Sequence, residues 1–189
     1  MEKYLVSSEV IDWIHPAVTG KAGELADGCE DPVEIAKRSF EFVRDIIRHS
    51  GDFKLNPVTC KASDVLKQGT GYCYAKSHLL AALLRANGIP AGLCYQRLAI
   101  DDGRYCLHGL NAVFLPEYGW YRMDARGNKP GVHAEFCLPE ERLAYPASGQ
   151  GECTFADIFD LPLSSVVRVL EACTSYVMVN DNLPDIALP

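Results

Sequence analysis

Along the first half of the chain the apolar positions fall at helical spacing, and beyond Pro90 they fall at strand spacing. Val33, Ala36, Phe40, Val43 and Ile47 recur at alternating steps of three and four, with Phe42 and Ile46 widening the stripe. This is one long amphipathic helix. Asp31 is its expected N-cap, Pro32 takes the first helical position, Glu34 completes a capping box, and the helix should end near His49-Ser50-Gly51. A second run, Ala75, Leu79, Leu80, Ala82, Leu83, Leu84 and Ala86, is apolar nearly all round, so its helix should be buried on most faces. Asn87-Gly88 supplies a left-handed cap, and Pro90 prevents continuation.

After Pro90, Ala91 to Ile100 and Arg104 to Leu115 read as strands joined by the turn Asp101-Asp102-Gly103. Trp120 to Asp124 forms the next strand, after the turn Pro116-Glu117-Tyr118-Gly119. Shorter helical pieces are expected at Ser8 to Ile14, Pro16 to Asp27 and Ser63 to Gln68. Downstream, prolines and glycines break the chain into loops, with a short strand at Glu135 to Leu138. A last helix is expected at Leu163 to Cys173, capped by Ser164 or Ser165, and an irregular tail from Asn180. Helices first and an antiparallel sheet second make an α+β fold. We expect a single domain over residues 1–189, with a core at about 31–128 and C-terminal loops and a helix at 129–189.

Composition narrows the function. The 189 residues are 48% hydrophobic and 23% charged, the proportions of a protein that folds unaided. A net charge of −7 without a basic cluster argues against nucleic acid or an anionic membrane as partner. The N-terminus carries no basic segment followed by an apolar run, and no stretch approaches the roughly eighteen apolar residues of a membrane helix. A cytoplasmic location is therefore expected. Eight cysteines stand without a single C-x-x-C pair, which disfavours a disulfide framework or a structural zinc site. His133 and Cys137, four apart, could share a helix face, but two ligands do not make a metal site.

The candidate chemistry centres on Cys73. It follows the loop Gly69-Thr70-Gly71 and opens the buried helix, where free backbone N–H groups and the helix dipole favour a thiolate. His108 lies on the second strand, sharing a face with Leu110, Ala112 and Phe114. Asp124 ends the third strand. A thiol, an imidazole and a carboxylate in this order are what thiol acyl transfer needs: a nucleophile, a base that later protonates the leaving group, and a group that fixes the imidazole tautomer. Each residue has a bland reading, as a buried core thiol, a satisfied strand histidine and a turn aspartate. The Cys73 N–H is the first candidate oxyanion donor, and Gln68 is the candidate for the second, unless it is a solvated helix-end side chain. His78, about 140 degrees round the helix from Cys73, should point away. His15, His49 and His133 sit at element ends or in loops.

His108 and Asp124 can share a site only if they leave one face of neighbouring strands. Strand alternation then requires an even sum of paired residue numbers, hence a three- or five-residue loop, or a bulge, at Pro116 to Gly119. On the opposite face Asp124 would give way to Asn128 or Asn111.

Gly71-Tyr72-Cys73, the run Leu79 to Ala91 ending Arg85-Ala86-Asn87-Gly88-Ile89-Pro90-Ala91, the strand from His108 to Leu115 and Trp120 to Asp124 together resemble the transglutaminase-like superfamily of papain-fold cysteine enzymes. The resemblance covers about residues 60 to 128. It implies a papain-like, transglutaminase-like α+β fold, with Cys73 as nucleophile at the start of the central helix, His108 as base and acid, and Asp124 as orienter. It also implies acyl transfer or hydrolysis at an amide (peptide or isopeptide) bond, with a peptide, protein or small amide as substrate and no cofactor. The chain departs from the family pattern where Gly109-Leu110-Asn111 follows the histidine in place of Ala-Trp-Val, and where Ala125-Arg126 follows the aspartate in place of Pro-Thr. Both departures bear on substrate class more than on chemistry. The alternatives are a catalytically inactive peptide- or protein-binding domain of the same fold, or a small-molecule N-acyltransferase, for which no coenzyme A pocket is visible. Oligomeric state is not legible in the sequence.

Overall fold

A computed structural model describes residues 1–100 and 103–186. Its helices are α1 (Pro16–Ala26), α2 (Pro32–Asp45), α3 (Ser50–Phe53), α4 (Ala62–Gln68), α5 (Cys73–Ala86), α6 (Ser164–Ala172) and α7 (Tyr176–Asp181). The strands are β1 (Arg48–His49), β2 (Thr70–Gly71), β3 (Ala91–Ala99), β4 (Tyr105–Leu115), β5 (Gly119–Met123), β6 (Glu135–Cys137), β7 (Glu140–Arg142) and β8 (Cys153–Thr154). No helix among the described residues is long and apolar enough to cross a membrane.

The helix α5 is the axis of the core. Every residue from Cys73 to Arg85 is buried, the apolar majority packing on all sides and Lys76, Ser77, His78 and Arg85 each bonding a backbone carbonyl. Helices α1, α2 and α4 pack on one side of it and strands β3 and β4 on the other. The sheet runs β5-β4-β3-β8 and is antiparallel throughout. The expected turn residues Asp101 and Asp102 lie outside the described residues, but β3 and β4 pair in register from Ala91 with Val113 to Ala99 with Tyr105. Leu107, Val113, Leu115, Tyr121 and Met123 join the main core with α5, whereas Leu110 and Ala112 belong to a second apolar cluster with Cys94.

Several local expectations give way to side-chain competition. Ser8 to Ile14 forms bends rather than a helix. The Ser8 hydroxyl accepts from the Ile11 N–H, and the Asp12 carboxylate accepts from Ser63 N–H at the start of α4, so these side chains serve turns and a neighbouring helix. Asp31 caps α2 through the Val33 N–H, whereas Glu34 pairs with Arg38 one turn on in place of a capping box. The helix stops at Asp45, short of the expected end, because Lys76 of α5 donates to the carbonyls of Arg44 and Ile47 and so closes its C-terminus. The residue capping α6 is Leu163, through its backbone, with neither Ser164 nor Ser165 in that role. The tail, read as irregular, carries α7 up to Asp181. Beyond it Leu107 N–H donates to Pro184 O at 2.7 Å, and Arg97 pairs with Asp185. His133 lies in a loop and Cys137 in β6, so the two share no helix face.

Candidate active site

The start of α5 is fixed from below by a polar knot. Thr70 Oγ1 donates to Arg48 O and contacts Ser50 Oγ, while Thr59 Oγ1 donates to Thr70 O. Gly71 packs closely, since a Cβ there would stand 3.1 Å from Ala75 Cβ and Thr59 Oγ1 and would press both aside by a few tenths of an ångström. Tyr72, in extended backbone, is the N-cap, and no side chain caps the helix. The first-turn N–H groups at Cys73 are thereby left without a capping side chain, which is the arrangement of an anion-binding helix start. Cys73 is 7% exposed.

The hairpin β4–β5 brings the other two residues together. Leu115 pairs with Gly119, an even sum, so three residues close the loop and His108 and Asp124 leave one face of the sheet. Asn111 therefore faces the other way, donating to Ser77 O and Gly92 O, and exposed Asn128 binds the His133 ring and Ala134 O. His108 Nε2–H donates to Asp124 Oδ2 at 2.7 Å, the carboxylate being an acceptor. Asp124 is fully buried and accepts two more hydrogen bonds, from Arg126 N–H and Ala144 N–H. Burial alone would raise its carboxyl, but the His108 charge and these hydrogen bonds hold it below the ordinary carboxylate range. Burial alone would likewise lower the His108 imidazole, but the Asp124 carboxylate and the Cys73 thiol raise it to about 10. The ring of Tyr145 packs edge-on against His108, centroids 5.0 Å apart.

Cys73 meets β4 where that strand has no side chain. Gly109 N–H donates to Cys73 Sγ at 3.5 Å, and Tyr74 hydroxyl donates to Leu107 O beside it. The departure from the family pattern after the histidine thus has a packing reason: Gly109 admits the helix start, and Asn111 ties β4 to α5. A cavity of about 560 Å³ opens beside Cys73 and His108, lined also by His49, Asp52, Arg126, Lys129, Tyr145 and Leu183. Gln68 takes no part in it. That side chain is exposed on the last turn of α4 and lies outside the cavity lining. His78 points away as expected, its Nδ1 bonded to Cys60 O.

Sequence reasoning missed a charged group in the cavity lining. Arg126, 7% exposed, forms a two-pronged ion pair with Asp52 at 2.7 and 3.0 Å, and Lys129 reaches the same carboxylate at 2.7 Å. Burial would raise the Asp52 carboxyl, but hydrogen bonds from Arg126 and Lys129 hold it at about 2. Burial, aided by the Arg126 charge, pushes His49 down to about 3, so its ring is neutral and accepts from Asp52 N–H. The same two causes push the buried Lys76 ammonium down to about 7. The signal for Arg126 was its position two residues past Asp124, where the family pattern breaks. His49 carried none.

No curated protein matches the sequence. Among solved structures, the chain is similar to a "putative cysteine protease" of Cytophaga hutchinsonii, with a TM-score of 0.52 and 19% identity, covering 65% of this chain and 40% of that one. The periplasmic domain of TgpA from Pseudomonas aeruginosa gives a TM-score of 0.48 and 22% identity, covering 65% and 45%. Red sea bream transglutaminase gives 0.48 and 13%, covering 66% and 32%. The chain thus spans less than half the length of each of these proteins, and at such identities the likeness is one of fold. The sequence profile of the transglutaminase-like superfamily matches residues 19–125, more than half of the chain and a span holding Cys73, His108 and Asp124, so the chain belongs to the transglutaminase-like superfamily.

Proposed function

We propose that the protein is a cysteine-dependent acyl-transfer enzyme or hydrolase acting on an amide bond of a peptide, protein or small amide. The observation that carries this reading is the cavity in which Cys73 Sγ, at an uncapped helix start, faces a His108 ring held by Asp124 at 2.7 Å. In the proposed sequence the Cys73 thiolate attacks the amide carbonyl, and the oxygen that becomes negative faces the Cys73 N–H. The His108 imidazolium gives its proton to the departing amine as the C–N bond breaks, leaving an acyl group on sulfur. Neutral His108 then takes a proton from water or from a second amine as either attacks the thioester, and the thiolate leaves. Asp124 keeps the Nε2 proton in place throughout, so that Nδ1 is the atom that exchanges protons. Eight unpaired cysteines suit a reducing compartment, and the proposal places the protein in the cytoplasm.

The test is turnover of a mixed library of short amidated peptides, with and without an added primary amine, read by mass spectrometry. Amide bonds lost with the wild type but kept with Cys73→Ala support the reading. Identical product profiles for the two proteins would overturn it and leave a binding domain of the same fold.

A further inference from the structure

The cavity beside Cys73 has a cationic end for which the acyl-transfer steps have no use. Arg126 and Lys129 both bond Asp52, so two positive charges share one carboxylate. Arg126 Nη1 also reaches Gly127 O at 3.4 Å. Among the described residues, the other lining carboxylate, Glu152, is held on the β3 side by the N–H groups of Ala99 and Gly149, and the Asp124 charge is answered by His108. Arg126 is also fixed to the site. Its backbone N–H donates to Asp124 Oδ1, and its guanidinium lies 5.8 Å from the Tyr145 ring that packs on His108. The Arg126 charge, 7% exposed, is weakly screened. Lys129, by contrast, has a side chain 42% exposed and can swing toward a ligand.

We propose that Arg126 and Lys129 form a carboxylate-reading subsite, so that the preferred substrate carries an acidic side chain or a free α-carboxylate beside the amide bond presented to Cys73. A guanidinium fork and an ammonium together match the several lone pairs of a carboxylate, which the peptide's neutral amide isostere cannot offer. Asp52 occupies the subsite when it is empty of ligand. It orients the two cations and competes with the incoming anion. The subsite rests on the acyl-transfer reading for its purpose, and its occupancy can be measured without that chemistry.

Binding is therefore read by calorimetry on Cys73→Ala, in which no turnover occurs. The probes are capped tripeptides with a central Glu or Gln, and a tripeptide with a free or amidated C-terminus. The Glu probe should bind about tenfold or more tightly than the Gln probe if side-chain carboxylates are read, and the free C-terminus should show that preference if chain ends are read. Adding Lys129→Gln should reduce the preference severalfold, and adding Asp52→Asn should increase it, because the competing anion is removed while both cations remain. Equal affinity for acid and amide probes, or no binding of any probe, overturns the proposal, as does a preference that Asp52→Asn leaves unchanged or weakens. A purely structural ion pair would give that last result. Acid-selective binding without any library turnover would instead keep the subsite and remove the enzyme.

Discussion

Gly109 and Tyr74 are in backbone contact: a Cβ at Gly109 would stand 3.1 Å from Tyr74 Cα and 3.3 Å from its nitrogen. Gly109 N–H also points at Cys73 Sγ. One missing side chain on β4 thereby sets how closely the start of α5 approaches the strand that carries His108.

Gly109→Ala should move that helix start by a few tenths of an ångström. We expect a loss of about tenfold or more in peptide turnover, from misplacement of the sulfur alone. Stability should fall by about 1–3 kcal/mol, the usual cost of overpacking. Urea melts and library turnover check the two effects, and wild-type turnover would show that Cys73 tolerates the shift.

Thiol labelling should single out Cys73. Burial pushes Cys60, Cys94 and Cys106 up to about 12, so their thiolates are scarce near neutral pH. Iodoacetamide at pH near 6 followed by peptide mapping should find Cys73 modified first, and His108→Ala should slow that reaction by removing the neighbouring cation. Uniform slow labelling across all eight cysteines would remove the enzymatic reading.

The parts of the fold legible in the sequence were those with a strong period. The largely apolar run marked α5, the strand-like character after Pro90 marked β3 and β4, and the requirement that His108 and Asp124 share a face predicted an odd number of residues in the β4–β5 loop, which has three. The cationic end was not legible, because Asp52 lies 74 residues before Arg126 and 77 before Lys129, and a net charge of −7 hides a local excess of the opposite sign. Gln68 lies outside the cavity because nearness in sequence to Cys73 says nothing about direction once Gly69, at φ +65°, turns the chain. The two-residue strand β8 is too short to carry any period.

Lys76 and His108 should oppose each other in their effect on stability. His108, raised to about 10, holds its proton when folded but loses it when unfolded, so its contribution, full below pH 6.5, declines as pH rises toward 10. Lys76, lowered to about 7, does the reverse: unfolding takes up a proton, so its contribution grows as pH rises above 7. From pH 7 to about 8.5, before unfolded cysteines titrate, the two slopes nearly cancel. In a Cys73→Ala background, which removes a thiolate whose proton uptake on unfolding would offset the proton lost by His108, Lys76→Met should uncover a fall in stability of up to about 1.4 kcal/mol per pH unit, and His108→Gln a comparable rise. Urea melts at both ends of this window test the pair, and parallel slopes in the two variants would contradict it.

Inserting one residue between Glu117 and Tyr118 should separate fold from activity. It makes the paired sum odd, sending both Asp124 and the apolar residues of β5 to the wrong face unless the sheet bulges. A sheet that bulges to keep Tyr121 and Met123 inside would keep Asp124 on His108, so the informative result is turnover measured beside the circular dichroism of the sheet. Native sheet with native turnover indicates a bulge; native sheet with none indicates a flipped Asp124.

The clamp of Pro184 on Leu107 and of Asp185 on Arg97 also sets an order of assembly during synthesis. Cys73, His108 and Asp124 have all left the ribosome about sixty residues before Leu183, which supplies the last wall of the cavity. A nascent chain can thus bring the three residues together while the cavity is still open on that side. Selectivity for what enters arrives only as Pro184 and Asp185 dock on the sheet.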